Sequence, residues 1–439
     1  MRAIRQFSTF NRSVQLLFLN QLAIMTGFSM LMPYLTGYLT TTLGFAAWTA
    51  GLVLGLRTFS QQGLSVLGGS LADHVGYKPV IAGGCVLRMA GFLLFAFSDA
   101  LPSVLVAAVL TGLGGALFAP AVRAYVASES GERRVEAFAL LQICEGVGAC
   151  LGPVLGVVLC QISFSLVCVM ASVLFLVLTI LQLCYLPPRE AVETSAPRPV
   201  RSEWQEVLGN RTFMVFVVGM AAYLTLYSQS YLSLPLEVRR LTGDDAGTGI
   251  LLTLGALLSI MTQVHITAYL KARCRPLQAI ALGLTLMAGA FLPLLAAGPF
   301  LPIHTLPDAL GETTALHAVA IGAVNFSPVF ASVMLLSLGT MVAAPFALSL
   351  IPVLGGHRLL GTYFGFYYLV QGGGTVVGNL AVGAAFDAGA ALGFQSLPWL
   401  LPLGFGLASA TSMLAMDRKG MKAHASGLSR LVTMTETSG

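Results

Sequence analysis

Residues 68–79, GGSLADHVGYKP, join two long apolar runs of the sequence through a very short polar turn. Gly69 has no side chain and so lets a neighbouring helix approach closely, and Gly76 permits a positive φ in the turn. Asp73 lies where its carboxylate can accept hydrogen bonds from the N-terminal amides of another helix. The stretch therefore predicts a tight junction between two helices that also contacts a third.

The composition around this junction is that of a membrane protein. Of 439 residues, 56% are apolar and only 9% are charged, whereas soluble domains carry roughly 25% charged residues. The apolar runs match the roughly 20 residues that cross a bilayer as a helix, and they lack the short alternating segments of a β-barrel. The predicted fold class is an all-α membrane protein.

Twelve transmembrane helices are predicted, in two halves of six. Their expected bounds are 14–38, 47–72, 79–98, 102–127, 136–160, 163–186, 212–235, 247–270, 277–298, 325–353, 360–386 and 396–416. The first run is too long for a signal peptide, so it is interpreted as a helix of the mature protein. The domain plan is an N-terminal half, a cytoplasmic linker, a C-terminal half and a cytoplasmic tail, at residues 1–186, 187–211, 212–416 and 417–439.

Positive charges set the expected orientation of these helices. With the N-terminus in the cytoplasm, 18 of the 23 Lys and Arg residues fall on the cytoplasmic side, two fall outside, and three lie within helices. Cytoplasmic loops of membrane proteins carry such an excess, so both termini are predicted to be cytoplasmic. The net charge of +5 reflects this orientation and does not imply nucleic-acid binding.

Two segments outside the helices carry expectations of their own. Residues 299–324 are predicted to form a long outer loop between helices 9 and 10, and the polar residues after Met416 a disordered tail. Six plus six helices with a charged central linker describe a duplicated transporter fold. Transporters of that plan bind their substrate near the membrane midplane, between the halves.

The junction at residues 68–79 resembles the signature of the major facilitator superfamily, G-x-L-A-D-x-x-G-x-K. The matching positions are Gly69, Asp73, Gly76 and Lys78. The sequence departs at Tyr77, where the family usually has Arg. The resemblance implies the major facilitator fold and a gating loop that latches the halves in the outward-facing state, with the acid near the start of helix 11. Arg123, near the cytoplasmic end of helix 4, is expected to join this gating network.

A second pattern lies in helix 5, in the run GACLGPVLG at residues 148–156. Small residues at a spacing of four make a flat face for close helix packing, and a proline bends the helix. The run is similar to the G-x-x-x-G-P-x-x-G pattern of drug:proton antiporters within the superfamily. The residues that match this antiporter pattern are Gly148, Gly152, Pro153 and Gly156. The alternative interpretation is a packing groove of the kind that any transmembrane helix can carry.

Over nearly its whole length, the chain looks most like the MdtH-type group of bacterial multidrug resistance proteins. The stretches that suggest this are GLRTFSQQGL at 55–64 and GTYFGF at 361–366. Two departures weaken the case for a broad range of cationic drugs. Ala108 stands where the wider drug-antiporter pattern has Arg, and helix 1 offers Asn20 and Gln21 in place of an acid.

Charged side chains inside membrane helices are costly and mark candidate pathways. Glu145 is the only acid deep in a predicted helix, about 14 Å from the start of helix 5. A carboxyl removed from water can exchange protons near neutral pH, so Glu145 is the candidate proton carrier. Its alternative role is a permanent ion pair with a nearby arginine.

Two arginines are also deep. Arg57 and Arg88 lie in helices 2 and 3, and because arginine keeps its proton, neither is a proton carrier. They are candidates to neutralise Glu145 or to face an anionic group of the substrate. Arg88 and Glu145 are expected at similar depth, where an ion pair forms if their helices face the same way.

Uncharged polar residues complete the candidate substrate cavity. These amides and phenols are Asn20, Gln21, Gln62, Tyr227, Gln371 and Asn379. Each is a weak signal alone, and a tyrosine near a helix end often only anchors that helix at the membrane interface.

The predicted function is export of small amphipathic compounds or drugs, coupled to protons, by alternating access in the cell inner membrane. The expected partners are a small-molecule substrate, protons and the bilayer, without nucleic acid, and the chain is expected to be monomeric. Two alternatives stay open: a lipid or lysolipid translocator or sensor on the same fold, and a proton symporter that imports a metabolite. No enzymatic activity, cofactor or metal is expected. ATP is not implied, because GTGILLTLG at 247–255 lacks the Gly-Lys-Ser/Thr ending of a P-loop.

Overall fold

The computed structural model describes residues 2–45, 47–187, 199–230, 232–242, 246–297, 315–394 and 396–436. In these ranges the regular structure is helical, with no strand. The helices before the central linker are α1 (Arg2–Phe7), α2 (Arg12–Gly37), α3 (Ala47–Gly63), α4 (Ser65–Val75), α5 (Tyr77–Phe97), α6 (Leu101–Ser130), α7 (Arg134–Cys160) and α8 (Phe164–Tyr185). Those that follow are α9 (Val200–Gly209), α10 (Arg211–Gly219), α11 (Ala221–Ser228), α12 (Ser233–Thr242), α13 (Ala246–Arg273), α14 (Pro276–Gly289), α15 (Leu292–Ala297), α16 (Ala315–Leu354), α17 (Leu360–Leu392) and α18 (Leu397–Glu436).

Ten spans of the described helices are long and apolar enough to cross a membrane. One of them, Leu101–Cys160, contains both α6 and α7, which are separated by a single 3-10 turn at Gly131–Arg133. The segment made of α3 and α4 is interrupted at Leu64, so its two parts are 17 and 11 residues long and neither counts as a span alone. Taken as segments, these helices correspond to the twelve that the sequence predicts.

The same close contact recurs in both halves. α5 and α6 meet where Gly84 faces Gly114, and α14 and α16 meet where Gly283 faces Gly339. In each pair, a Cβ added to one glycine would lie 2.5 to 2.7 Å from the carbonyl oxygen of the other. Because these are the third and fourth transmembrane segments of each half, the contact agrees with a duplicated six-helix unit.

The seventh predicted helix, 212–235, differs most from its prediction. It is divided into α10 and α11 around Met220, and it ends at Ser228. The side-chain amide of Gln371 donates to the Met220 carbonyl at 2.7 Å and accepts from the Leu224 N–H at 3.3 Å. In a continuous helix these two backbone groups would bond to each other. The Met220 carbonyl also accepts from the Tyr223 N–H at 2.9 Å, so Gln371 chiefly supplies the acceptor that the Leu224 N–H lacks inside the membrane.

Two helices extend beyond their predicted bounds. α16 begins at Ala315, so residues 315–324 of the expected outer loop are helical, while residues 298–314 lie outside the described ranges. α18 continues to Glu436, which corrects the expectation of a disordered tail. The tail contains Ala, Leu, Met and Lys and no proline, and these are good helix formers.

The expected linker, residues 187–211, also contains a helix. This helix is α9, which follows Pro199 and buries Glu203 and Val207. Its remaining residues include several that are exposed, so one face of α9 packs against the bundle and the other faces outward.

Candidate functional site

The junction at residues 68–79 lies against the start of α17, at the end of the bundle that the charge distribution predicts to be cytoplasmic. Asp73 accepts hydrogen bonds from the Gly361 N–H at 2.8 Å, the Thr362 N–H at 2.7 Å and the Thr362 hydroxyl at 2.8 Å. The first N–H groups of a helix have no partner within it, so Asp73 caps α17 from the opposite half of the chain. We call Gly69, Asp73, Gly361 and Thr362 the latch.

The two glycines of the latch allow this contact. Gly69 and Gly361 meet backbone to backbone, and a Cβ added at either would collide with the carbonyl oxygen of the other. Gly76 has a φ of 97°, as the turn requires, and lets α5 begin directly after α4. Tyr77 stands where the family pattern has Arg, and its hydroxyl lies 3.4 Å from Asp73 Oδ1. A phenol thus occupies the place of a guanidinium, while Lys78 forms no ion pair with any described acid.

The linker helix α9 packs across the latch. The indole N–H of Trp204 donates to the Ser70 hydroxyl at 2.7 Å, and its ring meets Phe366 of α17 edge-on at 6.1 Å. Glu203 is buried and lies 3.4 Å from His74 Nε2. Sequence reasoning missed this contact, although a tryptophan in a charged linker is a signal that the segment packs against something.

Two further polar contacts join the halves at the same end. Lys271 of α13 pairs with Glu136 of α7 at 2.8 Å. Arg134 Nη2 lies 3.2 Å from His357 Nδ1, which precedes α17. Together with the latch and α9, these contacts close the cytoplasmic ends of the two halves against each other.

Glu145 of α7 is held by two side chains of its own half. Arg123 of α6 pairs with Glu145 Oε1 at 3.0 Å, and the Gln21 amide donates to the same oxygen at 2.8 Å. The pairing with Arg123 corrects the expectation that Arg123 joins the Asp73 network. α6 continues to Ser130, so Arg123 lies about 10 Å inside the helix end, and its long side chain reaches the level of Glu145.

This ion pair lies between the two halves. The ring of Tyr368, on α17, is 5.1 Å from Arg123 Cζ, a distance typical of a cation–π contact. Tyr223 and Tyr367, also of the C-terminal half, lie close enough to interact electrostatically with the same guanidinium. The Glu145 side chain is 28% exposed. A charged pair of one half, open to its surroundings, is therefore in contact with aromatic residues of the other.

The glycine stripe at residues 148–156, which lies in α7, packs against α2. A Cβ added at Gly148 would lie 2.5 Å from the Leu22 carbonyl oxygen, and one at Gly152 would lie 2.6 Å from Ser29 Cβ. Gly156 is equally close to Met30, and the Tyr34 hydroxyl donates to the Pro153 carbonyl at 2.8 Å. The stripe thus holds α7 and α2 together, and this brings Gln21 beside Glu145.

Arg57 and Arg88 do not pair with Glu145. Arg57 Nη2 donates to Gln61 Oε1 at 2.7 Å, and Arg88 lies over the ring of Phe118 at 4.6 Å. The condition for an ion pair between Arg88 and Glu145, that their helices face the same way, is therefore not met. Arg88 and Glu145 both lie deep in the membrane, but their side chains point in different directions from α5 and α7.

Most of the uncharged candidates bond within one half. Asn20 is buried and accepts from the Gln182 amide at 2.8 Å. Gln371 bridges the break between α10 and α11. Asn379 accepts from the Ser228 hydroxyl at 2.7 Å and from the Gln229 amide at 2.9 Å. These amides tie helices together instead of lining an open cavity.

The two other candidates lie in different places, one at the boundary between the halves and one beside the core of the C-terminal half. Gln62 packs against Gly372 of α17, where a Cβ added to that glycine would lie 2.6 Å from Gln62 Cβ. Tyr227 is half-buried beside the second hydrophobic cluster of the C-terminal half. Among the described residues, no group of His, Cys, Asp and Glu is arranged to hold a metal ion.

Comparison with known proteins identifies related sequences. The family model described as Major Facilitator Superfamily matches residues 17–379. An uncharacterized MFS-type transporter of Mycobacterium tuberculosis is 35% identical over 415 residues, which cover 94% of each chain. The multidrug resistance protein MdtH of Aeromonas salmonicida is 31% identical over 399 residues, covering 91% of this chain and 93% of the relative.

A solved structure shares the fold. The human organic anion transporter MFSD10 (TETRAN) superposes with a TM-score of 0.64 at 17% sequence identity. The match covers 92% of this chain and 99% of the other. At that identity the similarity concerns the arrangement of the helices alone.

Proposed function

Because the chain belongs to the major facilitator superfamily, we propose that this transporter exports small amphipathic compounds in exchange for protons. The names of the MdtH relatives support export of drug-like compounds. The observation that carries proton coupling is the pair of Glu145 and Arg123, a carboxylate deep in the membrane and in contact with the opposite half. The cell inner membrane is the proposed location.

In the proposed cycle, Glu145 binds a proton from the outer side after the substrate has left. The neutral carboxyl no longer balances the guanidinium, so the ion pair with Arg123 is lost. Arg123 keeps its charge and turns toward the phenol rings of Tyr368 and its neighbours. When the cavity opens to the cytoplasm, Glu145 releases the proton there and the ion pair forms again.

The latch has a separate role in this cycle. It stabilises the state in which the cytoplasmic ends are closed, through the three bonds that Asp73 accepts from α17. Opening toward the cytoplasm breaks all three bonds, so the differential binding of substrate and proton must outweigh them. The moving bodies are the two halves, residues 1–186 and 212–416, joined by the linker.

The test compares wild type with Glu145→Gln in proteoliposomes under an imposed pH gradient. An antiporter accumulates substrate in the acidic compartment, because protons leave that compartment as substrate enters. We expect wild type to do so with at least one dye of an amphipathic panel. Glu145→Gln is expected to abolish this accumulation and to retain equilibrium binding of the same dye, since glutamine keeps the shape and loses the titrating proton.

The matched control is Glu132→Gln, an exposed glutamate in the turn before α7, which should accumulate dye like wild type. Accumulation by Glu145→Gln would place the proton carrier elsewhere. Accumulation in the alkaline compartment would indicate a symporter. Movement of a labelled lysolipid between leaflets without any pH gradient would instead favour the lipid translocator.

A further inference from the structure

Two arginines lie deep in the N-terminal half without an acidic partner. Arg57 is ten residues from the start of α3 and Arg88 is eleven residues from the start of α5, so each lies roughly 15 Å along its helix. Arg88 is 4% exposed and Arg57 is half-buried. Neither forms an ion pair with a described acid, and the Nε–H of each is buried without a hydrogen-bond partner in the described ranges.

The third deep arginine of the same half, Arg123, also has a buried Nε–H without a partner among the described residues, but it differs from Arg57 and Arg88 in having a carboxylate beside it. Arg123 has its carboxylate, Glu145, at 3.0 Å. Glu145 also accepts from Gln21, so its carboxylate is already bonded by Arg123 and Gln21 and does not neutralise Arg57 or Arg88. Arg57 and Arg88 therefore carry two positive charges that nothing in the described part of the chain neutralises.

Both guanidiniums lie against one aromatic ring. Arg57 Cζ is 4.4 Å and Arg88 Cζ is 6.0 Å from the centre of the Phe28 ring. Arg88 also lies 4.6 Å from the Phe118 ring. Cation–π contacts offset part of the cost of burying a cation, but they supply neither a negative charge nor an acceptor for the free Nε–H.

The missing side chain of Gly115 lets these polar groups pack closely against α6. A Cβ added at Gly115 of α6 would lie 2.5 Å from Arg88 Nη2 and 2.9 Å from the amide carbon of Gln61. Gln61 in turn accepts from Arg57 Nη2 at 2.7 Å. Gln61 thus lies between the two guanidiniums, and Gly115 lets both it and Arg88 fit against α6.

We propose that Arg57 and Arg88 form a binding site for the carboxylate group of an amphipathic organic acid, with Phe28 packing against its apolar body. A charge buried in the membrane usually pairs or serves a pathway, and these two have no pair. The planar fork of donors on a guanidinium matches the two oxygens of a carboxylate. This inference deepens the proposed function by naming the class of its substrate, and it rests on that proposal for the direction of transport.

The experiment measures equilibrium binding to the full chain in detergent, without any gradient. The probes are three polycyclic aromatic carboxylic acids, pyrenebutyric acid among them, each paired with its neutral primary amide and followed by fluorescence anisotropy. At least one acid should bind wild type tenfold or more tightly than its amide. Arg57→Gln and Arg88→Gln should each weaken binding of that acid by about ten- to a hundredfold and leave binding of the amide unchanged. Arg88→Lys should recover part of the loss.

The matched control is Arg133→Gln, since Arg133 also lies over a phenylalanine ring, that of Phe10, but at the cytoplasmic surface. It should bind acid and amide like wild type. Amide binding also reports folding, because a misfolded variant would lose both ligands. The proposal is refuted if no acid binds more tightly than its amide, or if the Gln variants keep the preference.

The two proposals fail separately. A wild-type protein that prefers acids through Arg57 and Arg88 but never accumulates substrate against a pH gradient would overturn the exporter and retain this site. A wild-type protein that accumulates dyes and binds acids no better than amides would overturn this site and retain the exporter.

Discussion

Replacing Asp73 by Asn removes the charge of the latch while nearly preserving its shape. The carboxylate accepts bonds from three donors of Gly361 and Thr362, at 2.7 to 2.8 Å. Asparagine keeps one acceptor oxygen and turns an NH2 group toward these N–H groups. At least one backbone amide at the start of α17 therefore loses its partner.

The magnitude follows from the number of bonds. A hydrogen bond to a charged group contributes about 1.5–3 kcal/mol, and one between neutral groups about 0.5–1.5 kcal/mol. Weakening two bonds by about 1 kcal/mol each and losing a third worth about 2 kcal/mol removes about 4 kcal/mol from the closed state. Since about 1.4 kcal/mol is a factor of ten, the ratio of cytoplasm-closed to cytoplasm-open molecules should fall roughly a thousandfold.

Spin labels at the cytoplasmic end measure this ratio. Val75 and Arg358 are exposed and lie on opposite sides of the latch, in a background from which the seven free cysteines have been replaced. Asp73→Asn should add a longer distance to the distribution between these labels. It should also cut transport strongly in proteoliposomes, with expression near that of wild type.

The control is Asp99→Asn, which changes an exposed aspartate at the opposite end of α5. It should give the wild-type distance and transport rate. An unchanged distance distribution in Asp73→Asn, together with equal transport at matched protein levels, would show that the latch does not control the closed state.

Trp204→Phe keeps a ring near Phe366 but loses the donor to Ser70, and one neutral hydrogen bond is worth about 0.5–1.5 kcal/mol, so the open state should rise several-fold with the same labels. An unchanged distance would exclude α9 from the gate. A cysteine at Asp308, outside the described ranges, should react with impermeant maleimide from the outer side, and labelling from the cytoplasm alone would reverse the orientation. Glu145→Asp keeps a carboxyl on a shorter side chain, so it should retain part of the proton-driven transport with a shifted pH profile; a profile identical to wild type would argue against Glu145 as the titrating group.

The latch shows which contacts follow from local sequence. Gly69, Asp73 and Gly76 lie within one short turn, where the need for close approach, an acceptor and a positive φ can be reasoned from residue type. The partner on α17 lies almost 300 residues away, so only the family resemblance suggested it. The contacts of Trp204 with Ser70 and Phe366 were not suggested by the family resemblance, and the composition of the linker indicated an irregular segment.

The deep charges show a different limit. Depth in the membrane can be counted along a helix at 1.5 Å per residue, but the direction of a side chain around the helix depends on packing. Counting placed Arg88 and Glu145 at one level, yet Arg88 lies against Phe118. Arg123 reaches Glu145 because α6 runs to Ser130, beyond the end predicted for helix 4.

Amides inside the bundle could not be assigned by residue type. A buried amide must find partners, and it finds them equally well in a cavity or on a neighbouring helix. Asn20 and Asn379 bond to neighbouring helices of their own halves. Gln371 replaces a broken backbone bond between α10 and α11, a role that no pattern in the sequence signals.

One helix links the proposed proton site to the latch. Asp73 binds α17 at Gly361 and Thr362, and Arg123 lies over Tyr368 of the same helix. From Gly361 to Tyr368 is seven residues, about two turns or 10 Å, so both contacts fall on one face of α17. Protonation of Glu145 would free Arg123 to change its contact with that face, close to the bonds that hold the cytoplasmic ends shut. A change of charge in the N-terminal half can therefore act on the gate through α17 alone, without a longer chain of side chains between them.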